Sequence, residues 1–135
     1  MTTRVRGERG MVGKLIVVWL FLLLVFGVAV IDAGSILLTK FRLAETATLA
    51  ASGSAAALNR GQSPTAVCEL AADVVAEEQP DARHARQDWC VADSSEGSVT
   101  ITLHKTASTL LAGRLPFTED FANVNVQESV GRSSL

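Results

Sequence analysis

A single long apolar run near the start of the chain dominates its hydrophobic pattern. Residues 15–31 hold no charged side chain, and apolar residues continue beyond Lys14 on one side and beyond Asp32 on the other. A membrane-spanning helix needs ~20 apolar residues, and residues 11–38 would extend over roughly 42 Å as a helix. The pattern therefore predicts a retained transmembrane segment over residues 11–38. A cleaved secretory signal and a buried helix of a soluble domain are the alternatives; the run exceeds the ~7–15 apolar residues of a signal, and no clear cleavage site follows it.

The helix is expected to continue beyond the membrane as an Ala-rich segment over residues 39–61. Apolar and small residues recur there at steps of three and four, which predicts one buried stripe. The members of this stripe are Leu37, Phe41, Ala44, Thr48, Ala51, Ala55 and Leu58. Asn59 or Gly61 suits the left-handed conformation that ends many helices.

A second helix and several strands are expected in the remainder of the chain. Ser63 is a suitable N-cap and Pro64 a suitable first helical residue, and the helix is predicted to end at residues 79–81. Its predicted buried face consists of Val67, Leu70, Ala71, Val74 and Val75. Alternating apolar and polar residues predict strands over 87–92, 98–104 and 123–126, with a hairpin turn over 93–97.

Three other segments complete the predicted layout. Residues 82–86 form a basic loop, and residues 106–112 form one or two helical turns followed by further apolar residues. This apolar segment either covers the sheet, the interpretation that we favour, or presents a patch to a partner. The fold class is thus α+β, with a small domain over residues 62–130 and a polar tail over 131–135.

Charge is distributed unevenly along the chain. The net charge is −2, but residues 1–14 carry four basic side chains and one acidic one, whereas the rest carries eight basic and thirteen acidic ones. Nucleic-acid affinity comes mainly from Lys and Arg that neutralise phosphates, so an acidic body excludes nucleic acid as an expected partner. The basic residues 1–10 are expected in the cytoplasm, and the domain that follows the single span is expected on the extracytoplasmic side of the cell membrane.

Cys68 and Cys90 are the only two cysteines. Their spacing is not that of a redox pair or a metal site, and an even number outside the cytoplasm predicts one structural disulfide. Two unpaired thiols within the core are the alternative. A disulfide over this loop would stabilise the domain by roughly 3 kcal/mol.

No group of residues forms a recognisable catalytic pattern. An enzyme would need a nucleophile with its base, a pair of acids or a metal cluster, and His84 and His104 stand in unrelated contexts. We therefore expect no enzyme, no metal, no cofactor and no small-molecule substrate.

Asp32 is the one side chain with a predicted site role. A charge between apolar segments is costly unless it is paired or hydrated, and no basic residue lies one helical turn away from it. One interpretation is an interfacial carboxylate in contact with lipid headgroups and water. The other, which we take as the site prediction, is a contact with a basic group on another subunit.

Short motifs along most of the chain resemble those of pilins and pseudopilins. In detail, the chain resembles the TadE/TadG-like proteins of the bacterial tight-adherence (Flp) pilus system. The resemblance rests on a basic segment before the membrane run, an Asp-Ala-Gly near its outer end, an alanine-dense helix and a strand followed by an apolar loop. These are Arg6-Gly7-Glu8-Arg9-Gly10, Asp32-Ala33-Gly34, residues 43–57, Val99-Thr100-Ile101-Thr102-Leu103 and Thr109-Leu110-Leu111-Ala112.

The resemblance implies a pilin-like fold and an accessory role in assembling or tethering a pilus or secretion apparatus, with its other subunits as partners. Processed pilins of this system carry a Glu five residues after the Gly that precedes the cut. Here the fifth residue after Gly10 is Leu15, which favours an uncleaved, TadG-type anchor. The alternative function is a single-span envelope adaptor or regulator outside any pilus system.

Overall fold

A continuous helix, α1 (Glu8–Asn59), forms the spine of the protein and contains 52 residues. The computed structural model describes residues 8–84 and 87–131; the basic residues 1–7 and the end of the predicted tail lie outside that range. Every residue from 10 to 26 is exposed, so the first half of α1 does not bury its apolar side chains within its own chain. By length and composition α1 can cross a membrane, and this half is the apolar part.

Helix α1 ends in the left-handed conformation predicted for Gly61, whose φ is +90°. The Gly61 amide donates to the carbonyl of Leu58 and the Gln62 amide donates to that of Ala57. This pair of bonds is the Schellman arrangement, which satisfies carbonyls that a helix end leaves free. The chain can then reverse direction into the second helix.

Helix α2 (Pro64–Glu78) begins where the sequence predicted it. The Ser63 hydroxyl caps it by accepting from the amide of Ala66 at 3.3 Å. Its buried residues are Val67, Ala71 and Val75, and they pack against the second half of α1. The predicted face is therefore correct except for Leu70, which is exposed.

The sheet is antiparallel and is built around β3 (Ser98–Thr106). Strand β4 (Asn123–Val130) pairs with β3 along one edge over nearly its whole length. Strands β1 (Arg83–His84) and β2 (Cys90–Asp93) therefore share the other edge, one after the other. A four-residue helix, α3 (Glu119–Ala122), leads into β4. The α+β layout that the sequence predicted is thus confirmed.

The predicted hairpin turn between β2 and β3 is held by one carboxylate. Asp93 Oδ1 accepts from the hydroxyl and the amide of Ser95, and more weakly from the amide of Glu96 at 3.3 Å. These hydrogen bonds, the Ser95 hydroxyl foremost, lower the pKa of Asp93 below its ordinary value. Gly97 closes the turn with a φ of +63°, which a residue with a Cβ adopts only at a cost.

The core lies between the second half of α1, α2 and one face of the sheet. The alternation predicted for β3 is confirmed, because Val99, Ile101 and Leu103 are all fully buried. Val124 and Val126 of β4 lie beside them. The opposite face of the sheet carries the polar residues of the same strands.

The predicted buried stripe of α1 is wrong in phase. Leu37, Phe41 and Thr48 are exposed, although Ala51, Ala55 and Leu58 are buried as expected. The face that packs against the domain is Leu43, Thr46, Ala47, Ala50, Ala51, Ser54, Ala55, Ala57 and Leu58. The small side chains on this face allow α2 and the sheet to approach the helix closely.

Two expectations for irregular segments are also wrong. The basic loop at residues 82–86 contains a short strand, β1, and its residues 85–86 lie outside the described part of the chain. No helical turn forms over residues 106–112: Thr106 is the last residue of β3, and the chain beyond it runs through bends and turns. The reason for the second difference is the hydrogen bonding of Asp32.

Candidate functional site

The carboxylate of Asp32 is bound by three consecutive backbone amides from the other end of the chain. Leu110 donates to Oδ1 at 2.6 Å, and Leu111 and Ala112 donate to Oδ2 at 2.8 and 2.9 Å. Asp32 is only 5% exposed. Successive amides that converge on one anion form a backbone nest, and here the nest is filled by the protein's own carboxylate. We call this contact the Asp32 clasp.

A second contact lies one helical turn further along α1. Ser35 donates its hydroxyl hydrogen bond to the carbonyl of Ser108. Residues three apart lie on the same face of a helix, so Asp32 and Ser35 hold the segment around 108–112 along one side of α1. An α-helix over residues 106–112 would need the amides of 110–112 for its own i−4 carbonyls. Because those amides bond to Asp32, the predicted helical turns do not form.

The loop beyond the clasp is stabilised by its own hydroxyl groups. Thr109 Oγ1 accepts from the amide of Gly113 at 2.8 Å, and Thr118 Oγ1 donates to the carbonyl of Ala112 at 2.8 Å. At the start of the segment, the amide of Ala107 donates to the carbonyl of Ala122 at 2.7 Å. The segment is therefore hydrogen-bonded both to α1 and to the last residue of α3, directly before β4.

This loop exposes large apolar side chains. Phe117 is 75% exposed and Leu110 is 56% exposed. We define the apolar loop patch as Leu110, Leu111, Leu115 and Phe117, all of which the structure leaves exposed. The expectation that this segment covers the sheet is therefore wrong, and the alternative of a patch presented to a partner describes it better.

Asp32 thus has a partner that the sequence analysis did not anticipate. Its carboxylate stabilises the packing of its own chain, a role that neither interpretation of the sequence included. The clasp does not supply a basic group, and a contact between Asp32 and another subunit stays a prediction. Chemically, the clasp stabilises a buried carboxylate with three backbone hydrogen bonds and holds the start of the apolar loop patch against α1.

Cys68 and Cys90 form the disulfide that the sequence predicted. Their sulfur atoms are 2.01 Å apart and their Cα atoms 5.8 Å apart. The bond joins α2 to β2, and both residues are partly buried. The two cysteines therefore form one structural link, separate from the donors that surround Asp32.

The polar face of the sheet lines a shallow concavity of about 820 Å³. Its side chains largely bond to one another across the strands. Thr100 donates to Ser129, Thr106 donates to Asn123, and His104 Nδ1 bonds to Asn125 Oδ1 at 2.8 Å. These pairs stabilise the sheet, and His104 takes part in one of them rather than pointing freely into water; the His84 side chain lies outside the described set.

Within the part of the chain that the structure describes, no group of three or more His, Cys, Asp or Glu side chains could hold a metal ion. The expectations of no enzyme, no cofactor and no small-molecule substrate stay predictions.

The sequence analysis missed the residues that bind Asp32 and Ser35, which are Ser108, Leu110, Leu111 and Ala112. They contribute backbone atoms, which every residue type carries, so their identities give no signal. The available signal was Asp32 itself, because a carboxylate among apolar residues must find donors.

Comparisons of the chain with protein-family models, with curated proteins and with solved structures give no match.

Proposed function

We propose that the protein is a membrane-anchored accessory component of a pilus or secretion apparatus, similar to the TadE/TadG-like proteins of the tight-adherence system. The observation that carries this proposal is the division of α1 into two halves. Its first half exposes apolar side chains along residues 10–26, and its second half forms the core of a small domain. One rigid helix thus couples a membrane anchor to a folded head, which is the arrangement that pilin-like subunits need.

Exposed apolar residues on α1 beyond Asp32 supply surface for contact with other subunits. Phe41 is 65% exposed, and Leu37 and Leu49 are 54% and 50% exposed. Phe41 lies nine residues past Asp32, which is roughly 13 Å along the helix axis. If the hydrocarbon core ends near Asp32, Phe41 lies beyond the lipid and needs protein to cover it.

The disulfide and the charge distribution support the proposed orientation. A disulfide persists in an oxidising compartment, and Cys68 and Cys90 both lie in the domain that follows the span. The basic residues at positions 4, 6, 9 and 14 precede the uncharged apolar run of residues 15–31 and favour the cytoplasmic side. We therefore place the N-terminus in the cytoplasm and the domain outside it.

Site-specific photocrosslinking in native membranes tests the proposal. A benzoylphenylalanine at Phe41 is expected to crosslink to a pilus or secretion-system subunit, identified by mass spectrometry. The same group at Glu77, an exposed position on α2, is the matched control and is expected to give little of that product. Deletion of the gene is expected to reduce assembly of the apparatus.

Two results would argue against the proposal. Assembly at the parent level without this chain would remove the accessory role. Crosslinking of Phe41 to an envelope protein unrelated to any appendage would instead support the alternative, a single-span adaptor or regulator.

A further inference from the structure

We propose that the apolar loop patch docks onto the lipid bilayer beside α1. The protein would then contact the extracytoplasmic membrane–water interface at two points, through α1 and through the patch. This inference rests on the membrane anchorage in the proposed function and adds a second contact to it. Its occupant is the lipid surface rather than a protein. Three observations on the described residues carry it: the level of the Asp32 clasp, the apolar side chains exposed near that level, and the basic residue in the loop.

The clasp sets the height of the loop relative to the membrane. From Met11 to Asp32 the helix rises by roughly 31 Å, which matches a hydrocarbon core of ~30 Å. Asp32 is therefore at the outer boundary of the core when Met11 is at the inner one. Since the amides of Leu110 and Leu111 lie 2.6 and 2.8 Å from the carboxylate, these two leucines lie at the same level.

Exposed apolar side chains of α1 and of the loop occur near the same level along the helix axis. Val30 and Ile31, the last residues before Asp32, are both more than half exposed. Leu110 and Leu111, whose amides bond to Asp32, are exposed as well. Transfer of such a surface from water to the interfacial region of a bilayer lowers its free energy.

A basic residue within the loop suits the lipid headgroups. Arg114 is exposed and stands between Leu111 and Leu115 in the sequence. A guanidinium can bond to headgroup phosphates while neighbouring apolar side chains enter the acyl boundary. Lys40 and Arg42, both exposed on α1, lie further out along the helix.

Quenching of single tryptophans by brominated lipids tests the proposal on the full chain. The background variant carries Trp19→Phe and Trp89→Phe and is reconstituted in vesicles of phosphatidylcholine and phosphatidylglycerol. Phe117→Trp is expected to lose about half of its emission when the bromine lies near the headgroup and less when it lies near the chain end, because interfacial segments lie only ~5–10 Å deep. Leu115→Trp supplies a second reporter in the patch.

Two controls separate the outcomes. Val91→Trp places the reporter on β2 at an exposed position outside the patch, and it is expected to be quenched by neither lipid. A chain that keeps only Trp19 reports on the anchor, with strong quenching by the deep bromine expected. Absence of quenching of Trp19 by the deep bromine would contradict the membrane anchorage itself.

Retained Trp19 quenching without quenching at Phe117→Trp and Leu115→Trp would overturn this inference alone. Dilution of the chain in the vesicles distinguishes a second copy of the chain from lipid as the occupant of the patch. If the tryptophan reporter in the patch is shielded from water only in vesicles that hold more than one chain, and the brominated lipids do not quench it, the patch binds protein and the lipid proposal is wrong. Quenching that persists below one chain per vesicle supports it.

Discussion

Removal of the disulfide between Cys68 and Cys90 is expected to destabilise the domain strongly. The bond joins α2 to β2 over a sequence separation of 22 residues, and closing a loop of that length stabilises the folded state by about 3 kcal/mol in the chain-entropy treatment. For a domain of roughly 60–100 residues, 1 kcal/mol corresponds to about 4–8 °C in melting temperature. We therefore expect the Cys68→Ala/Cys90→Ala variant to melt roughly 12–24 °C lower than the parent.

The assay is thermal unfolding of the full chain in detergent, followed by the emission of Trp89 in a Trp19→Phe background. Trp89 precedes Cys90 and packs against the core, so its emission reports on the domain rather than on the anchor. Each single variant breaks the same bond as the double variant. The three variants should therefore melt at nearly the same temperature, and the reduced parent should follow them.

Three results would refute this reasoning. A loss of less than about 4 °C in the double variant would mean that the bond contributes less than roughly 1 kcal/mol. Single-variant losses that add up to that of the double variant would mean that each cysteine stabilises the domain by packing rather than by the link. Labelling of both thiols by an alkylating reagent without reductant would show that native material lacks the bond.

Three further predictions follow from the hairpin turn and the clasp. The lowered pKa of Asp93 means that its carboxylate stabilises the hairpin above the ordinary pKa of 3.8 and that this contribution is lost as the pH falls through the folded-state pKa. On acidification below pH 3.8, the melting temperature of Asp93→Asn should therefore fall less than that of the parent. Gly97→Ala should cost about 1–2 kcal/mol in the free energy of unfolding, measured by denaturant titration, because alanine is disfavoured at positive φ. Asp32→Asn should release the loop and accelerate tryptic cleavage after Arg114, whereas Asp73→Asn on α2, with the same loss of charge, should not; equal cleavage rates in both variants would contradict a role for the clasp in holding the loop.

The elements that the sequence predicted well are those with a local signal. Ser63 and Pro64 mark the start of α2 because capping and a fixed φ act within one helical turn. The alternation around Ile101 identifies β3 because one face of that strand is buried and the other is polar. In each case the residues that specify the structure are adjacent in the sequence, so no knowledge of distant contacts was needed.

The face of α1 that packs against the domain could not be predicted in the same way. Periodicity identifies a buried face when large apolar residues lie on one side of a helix and polar residues on the other. On α1 the large apolar residues Leu37 and Phe41 are exposed, and the buried side consists mainly of alanines. A helix that leaves a membrane and enters a domain carries apolar residues on several sides, and their pattern alone does not distinguish lipid, core and partner.

The clasp shows why the sequence identified only one side of the candidate site. Asp32 could be singled out, because a carboxylate between apolar segments must be paired, hydrated or bound by donors. Its three donors could not, since they are backbone amides of Leu110, Leu111 and Ala112 and their side chains have no part in the bonding. The side chains of the two leucines are instead free to be apolar, and the structure leaves both exposed. A single segment can therefore bind the carboxylate that ends the apolar run with its backbone amides while its side chains remain apolar and exposed.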